Sequence, residues 1–139
     1  MSTADLSRAE TDAKHSFDRY AATFIELAAA GGTDPAPLLE YFAVPLTVAT
    51  GSAHTVLTSA EQLTAGLAHE LAALRDLDYG GSQALDPTVR VLNERAVTIE
   101  VSWARYDRSG AEFQRPRVFY FLARTAEGWR ITTSAVLAG

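Results

Sequence analysis

The sequence predicts an α+β protein in which helices come first and an antiparallel sheet follows. A long amphipathic pattern occupies residues 3–30, and two shorter helical patterns flank a short hairpin before residue 77. The rest of the chain alternates between apolar and polar residues, as strands do. With 139 residues, no cysteine and no internal repeat, the chain fits one domain over residues 1–139.

The first helix is defined by an apolar stripe that recurs every three or four residues. Its members are Ala13, Phe17, Tyr20, Phe24, Leu27 and Ala28. Thr3 followed by Asp5 suits the start of this helix, and the pair Gly31-Gly32 favours its end. The aromatic side of the helix is therefore expected to face the sheet.

Shorter elements follow the first helix. A second, short helix is expected between Pro35 and Pro45, and residues 46–57 are typical of a hairpin. Ser59 suits the N-cap of a third helix. The buried stripe of that helix is Leu63, Leu67, Leu71 and Leu74. A loop that contains Gly80-Gly81 is expected after it.

The last part of the chain predicts a four-stranded meander. The strands cover residues 82–92 or 88–92, then 96–106, 117–124 and 129–137. The intervening sequences DRSG and TAEG favour type I turns. In the second strand, the row that contains Trp103 and the row that contains Ser102 point to opposite faces. The sequence does not decide which of these rows faces inward.

One strand of the meander carries bulky apolar groups on both faces. Phe119 and Phe121 point one way, whereas Val118, Tyr120 and Leu122 point the other way. The helices can cover one face. Because an exposed apolar patch usually marks an interface, we expect a second copy of the chain to cover the other, forming a homodimer through the sheet.

The order of elements and several local stretches resemble the nuclear transport factor 2-like superfamily. The stretches are RYAATF (19–24), LLEYFAVPLTV (38–48), TSAEQL (58–63) and FYFLARTAEGWRI (119–131), and the likeness extends from about residue 12 to 137. The resemblance implies a cystatin-like cone, in which a curved mixed or antiparallel sheet wraps around the N-terminal helices and leaves a cavity. It also implies a homodimer. Superfamily members include isomerases, dehydratases, polyketide cyclases and epoxide hydrolases, so the resemblance predicts the fold and leaves the activity open.

Candidate site residues follow from laying the catalytic patterns of this superfamily on the chain. The ketosteroid isomerase pattern places Tyr20 on the first helix, the general base near Thr50 and an acid near Tyr120, but threonine cannot serve as that base. His54 and Glu100 are the remaining candidates for moving a proton. The expected ligand contacts are Phe17, Phe24, Leu67, Leu71, Trp103 and Arg117. The dehydratase and epoxide hydrolase patterns find no complete match.

The expected function is the binding of a small apolar molecule. If catalysis occurs, the expected reaction is a cofactor-free isomerisation, dehydration or cyclisation of a small apolar carbonyl compound. The alternative is a non-catalytic binding or dimerisation module whose pocket is filled by its own side chains.

Composition and motifs limit the partners and the compartment. No metal or cofactor motif is present, so no metal and no cofactor is expected. The net charge of −5, with scattered arginines, argues against a nucleic-acid partner. No apolar run is long enough for a membrane span, and a cytoplasmic location is expected.

Overall fold

The computed structural model describes residues 2–139 as three helical segments packed against a seven-stranded sheet. The helical segments are α1 (Thr3–Ala29), a 3₁₀ helix (Ala36–Tyr41) and α2 (Ala60–Asp76). The strands are β1 (Phe42–Ala49), β2 (His54–Leu57), β3 (Tyr79–Asn93), β4 (Ala96–Asp107), β5 (Glu112–Gln114), β6 (Arg117–Thr125) and β7 (Gly128–Val136). Their order in the sheet is β2-β1-β7-β6-β4-β3, and β5 pairs with β4. Because β1 runs parallel to β7 and the other pairs are antiparallel, the sheet is mixed. The predicted α+β class, with a curved mixed sheet around the N-terminal helices, is confirmed.

Helix α1 begins with a capping box, in which the side chains of Ser2 and Asp5 each bond the backbone N–H of the other. Phe17, Tyr20 and Phe24 are only 5%, 9% and 8% exposed, so the aromatic stripe lies between the helix and the sheet as predicted. The burial of this stripe holds α1 in place, because apolar area removed from water is the main stabilising term. No helix within residues 2–139 is long and apolar enough to cross a membrane.

The burial pattern decides the strand phase that the sequence left open. On β4, the row of Val97, Ile99, Val101 and Trp103 is buried against the helices. The register places this row beside Val118, Tyr120 and Leu122 of β6, which are also buried. Glu100 and Phe119 lie opposite each other on the outer face. The Trp103 row therefore faces inward.

Three local predictions differ from the structure. The first strand was expected from residue 46, but β1 begins at Phe42. The cis bond before Pro45 lies inside a register shift against β7, so the missing N–H of this proline removes no hydrogen bond from the ladder. Gly80 and Gly81 belong to β3, because the turn after α2 is made earlier, at Asp78 with φ 59°. Strand β5 is absent from the prediction, since three residues are too few to give a periodic signal.

Candidate small-molecule site

A cavity of about 410 Å³ lies between α1, α2 and the inner face of the sheet. Its walls are mainly apolar and include Leu46, Val48, Leu57, Leu63, Leu67 and Val118. Four of its polar side chains, Tyr20, Glu70, Arg105 and Tyr120, lie together on one side of the cavity. The same four side chains also line a small adjoining recess. An apolar cavity of this size with a few convergent polar groups is typical of a small-molecule site.

Tyr120 is held by a hydrogen bond from Trp103. The indole Nε1 donates to the Tyr120 hydroxyl oxygen at 2.9 Å. Because an indole nitrogen can only donate, the Tyr120 oxygen must accept, and its own proton is free to point elsewhere. Burial raises the pKa of Tyr120 to about 12, against the lowering effect of the Trp103 bond. Tyr120 is therefore a neutral donor with a fixed oxygen at the end of the cavity.

Tyr20 occupies the centre of an aromatic cluster beneath the cavity. Its ring centroid lies 5.3 Å from that of Phe42, 5.9 Å from Phe17 and 6.3 Å from Tyr120. Burial raises the pKa of its hydroxyl, and Tyr120 and Glu70 raise it further. Tyr20 therefore stays protonated at neutral pH and can donate a second hydrogen bond into the same space.

Glu70 lies on α2 at the mouth of the cavity. Its residue as a whole remains exposed, yet neighbouring atoms withdraw its carboxyl from water enough to raise its pKa. The charge of Arg105 opposes this rise. Solvent contact at the mouth limits the effect, because water screens a partly exposed charge. A carboxyl with a raised pKa exchanges protons more readily near neutral pH than an ordinary one.

Arg105 reaches the cavity from the end of the inward row of β4. It lies between Ser82 of β3 and Gln114 of β5 in the register, and its Nη1 donates to Gln114 Oε1 at 3.1 Å. The short β5 strand thus supplies a hydrogen-bond acceptor for the guanidinium.

Several residues singled out from the sequence lie at this site. Tyr20, Tyr120 and Leu67 line the cavity, whereas Phe24 and Trp103 line the recess. Two others stand behind these residues. Phe17 supports the wall, with its ring centroid 4.8 Å from that of Tyr120. Leu71 is 1% exposed and belongs to the core.

The structure does not bring His54, Glu100 or Arg117 to the cavity. His54 is exposed on β2, and its neighbour Thr55 points into the cavity instead. Glu100 lies on the outer face of the sheet and forms an ion pair with Arg117 Nε at 3.5 Å. Arg117 also donates a hydrogen bond to Ser102 Oγ, so its guanidinium is bonded to residues of the outer face. These placements follow from the strand phase, because neighbouring residues on a strand point to opposite faces.

Two cavity residues, Glu70 and Arg105, were not among the predicted site residues, because charged residues are usually solvated. Both have a signal in the sequence. Glu70 follows Leu67 by three residues and precedes Leu74 by four, so it borders the buried stripe of α2. Arg105 is two residues beyond Trp103, which places it on the same side of β4.

The fold and the cavity together define a cone-shaped α+β protein with an open pocket. A model for the NTF2-like protein family DUF6841 matches residues 9–138. The chain belongs to this NTF2-like family.

Solved structures agree on the fold. An NTF2-like protein of unknown function from Pseudomonas putida has a TM-score of 0.73 at 10% identity, covering 96% of this chain and 88% of that one. An NTF2-like protein with a cystatin-like fold from Novosphingobium aromaticivorans has a TM-score of 0.68 at 18% identity, covering 95% and 86%. A putative calcium/calmodulin dependent protein kinase II association domain from Xanthomonas campestris has a TM-score of 0.58 at 16% identity, covering 87% and 82%. No curated protein is significantly similar in sequence. At these identities the likeness shows the fold alone.

Proposed function

We propose that this protein binds a small, largely apolar carbonyl compound in the cavity and moves a proton on it without a cofactor. The observation that carries the proposal is the convergence of Tyr20, Tyr120 and Glu70 at one end of an apolar cavity. Two hydroxyl donors and one carboxyl are the groups that an isomerisation, dehydration or cyclisation of this kind requires.

Each group has a role that its surroundings support. The carbonyl oxygen of the ligand accepts hydrogen bonds from Tyr20 and Tyr120, both of which stay neutral because their pKa values are raised. The carboxylate of Glu70 takes a proton from the carbon next to the carbonyl, and the electron pair moves to the oxygen that the tyrosines bind. Return of the proton from Glu70 to another carbon completes an isomerisation. Glu70 thus replaces His54 and Glu100 as the proton carrier, since neither of them lines the cavity.

A second candidate is a binding module that holds the same ligand without turnover. The exposure of Glu70 favours it, because a base that solvent still reaches is only partly activated. The filled-pocket version of this candidate is supported only beside Tyr20, where the surrounding aromatic rings pack closely.

A pair of neighbouring substitutions on α2 tests binding with 3-cyclohexen-1-one as the probe. Gly66 lines the cavity, and a Cβ there would meet Leu57 at an ordinary 3.4 Å, so Gly66→Phe directs a ring into the cavity. Ala65 is exposed and lies outside the lining, so Ala65→Phe is the matched control. In ligand-observed NMR, the wild type and the control should bind the probe, and Gly66→Phe should weaken binding roughly tenfold or more.

Catalysis has its own readout. The wild type should exchange the probe's α-protons with deuterated solvent faster than buffer does, and Glu70→Gln should abolish this acceleration. Binding without any acceleration would favour the second candidate. Absence of binding, or binding that Gly66→Phe leaves unchanged, would refute the cavity as the site.

A further inference from the structure

Arg105 is the one permanently charged cation among the cavity-lining residues within 2–139. It lines both the cavity and the recess, and most of the other side chains that line the cavity are apolar. A guanidinium retains its charge at every physiological pH, so Arg105 is a fixed positive charge in the cavity lining.

The hydrogen bonds of Arg105 leave much of its guanidinium unused. The group has five N–H donors, and one of them is given to Gln114 Oε1. Within residues 2–139 no carboxylate oxygen lies within 4.0 Å of it, whereas Arg108, Arg115 and Arg117 all form ion pairs. Because Arg105 lines the cavity, its unused N–H groups are available there to match the two oxygens of a carboxylate.

We propose that the ligand class of the cavity is an apolar monocarboxylate, whose carboxylate pairs with Arg105 while its hydrocarbon part lies against the apolar walls. This inference rests on the proposed function, since it adds an anchoring group to the same ligand. The carbonyl that reacts and the carboxylate that anchors are then two different groups on the same side of one molecule, because the residues that bind them lie together in the cavity. An apolar tail with a single anion also fits a cavity that has one cation and mostly hydrocarbon walls.

Glu70 makes this binding depend on pH. The charged and titratable groups that face Glu70 are Tyr20 from α1, its own neighbour His69, Arg105 from β4 and Tyr120 from β6. An anionic ligand at Arg105 cancels the positive charge that lowers the pKa of Glu70, and adds a negative charge beside it. The bound state therefore holds a proton on Glu70 more tightly than the free state, so affinity falls as the pH rises. Tyr20 and Tyr120 stay neutral between about pH 6 and about pH 8 because their pKa values are raised, so they do not contribute to this pH dependence.

The experiment compares two probes of the same shape. Isothermal titration calorimetry measures cyclohexanecarboxylate against cyclohexanecarboxamide, which has no charge, at about pH 6 and about pH 8. The carboxylate should bind more tightly than the amide, and more tightly at the lower pH. Arg105→Gln should weaken carboxylate binding roughly tenfold or more and leave amide binding nearly unchanged. Arg90→Gln removes an exposed charge on the outer face and is the matched control.

Two further variants separate a recognition role from a structural one. Glu70→Gln should remove most of the pH dependence of carboxylate binding and raise the affinity at about pH 8, because a neutral amide replaces a repelling carboxylate. Arg105→Lys keeps the charge without the fork and should retain part of the preference for the carboxylate, which a merely structural arginine would not predict.

The outcomes distinguish the two proposals. An amide that binds as tightly as the carboxylate, or an Arg105→Gln variant that weakens both probes equally, would overturn the carboxylate assignment and leave the proposed function standing. If neither probe nor 3-cyclohexen-1-one binds, the proposed function itself is wrong.

Discussion

The hydrogen bond between Trp103 and Tyr120 gives the sharpest test of the cavity's architecture. Trp103→Phe leaves the Tyr120 oxygen without its donor, which costs about 1–3 kcal/mol, and the smaller ring adds roughly 1 kcal/mol for lost packing. Tyr120→Phe leaves the indole N–H, buried in a residue that is 7% exposed, without an acceptor, at a further cost of about 1–3 kcal/mol. The double variant has neither polar atom. Its loss of stability should therefore be smaller than the sum of the single losses by about 1–2 kcal/mol.

The assay is urea unfolding followed by far-UV circular dichroism, since a fluorescence signal would change with the removal of tryptophan. Trp129→Phe combined with Tyr120→Phe is the matched control. The register places Trp129 opposite Arg124, four residues along β6 from Tyr120 and so about 13 Å away. These two changes should be additive within about 0.5 kcal/mol. If the Trp103 and Tyr120 changes are equally additive, the hydrogen bond does not hold the Tyr120 oxygen, and the argument for a directed hydroxyl proton fails.

Three other predictions follow from the structure. Glu70→Gln should raise the urea midpoint at about pH 7 but not at about pH 3. The pKa of Glu70 is raised in the folded state, so the folded state holds the proton more tightly and the free energy of unfolding falls as the pH rises through that pKa. An equal change in midpoint at both pH values would contradict this reasoning. The exposed Glu26→Gln is its control. Gly80→Ala should destabilise the protein by about 1–3 kcal/mol, because the added Cβ would meet the β4 backbone at 2.7 Å. Gly81→Ala has open space around the added Cβ and should cost almost nothing. Similar urea midpoints for the two variants would refute the close approach at Gly80. We expect a homodimer that forms through the outer face of the sheet, so light scattering should give twice the 15.0 kDa chain mass and Phe121→Glu should give the monomer. A monomeric wild type would refute the dimer.

The two α-helices could be predicted almost to the residue. The stripe of α1 repeats over more than five turns, so a local period determines which side is buried. Strand β3 could not be predicted as well. Asp86, with φ 50°, and Pro87 interrupt its alternation at a register shift, which is why the sequence offered two starting points.

The candidate site was only partly predictable, for a different reason. Tyr20 and Tyr120 fall on buried rows, and burial follows from periodicity. Glu70 and Arg105 line one cavity because α2 packs over the sheet, and that arrangement is tertiary. No local pattern separates a charged side chain at a cavity mouth from one in water, although each of these residues adjoins a buried row.

Tyr20 and Tyr120 each serve both stability and the proposed function, and the two roles reside in different atoms. Their rings pack against each other and against Phe17, which stabilises the packing of α1 on β6. Their hydroxyls are the donors available to a ligand. Tyr20→Phe and Tyr120→Phe therefore remove the donors and keep the rings, whereas substitution by alanine would remove both and cost about 3–5 kcal/mol in lost packing. A loss of probe binding in Tyr20→Phe can thus be assigned to the missing hydroxyl only if the urea midpoint of this variant stays close to that of the wild type. Tyr120→Phe needs comparison with the Trp103 double variant, because part of its cost belongs to the indole that it leaves unpaired.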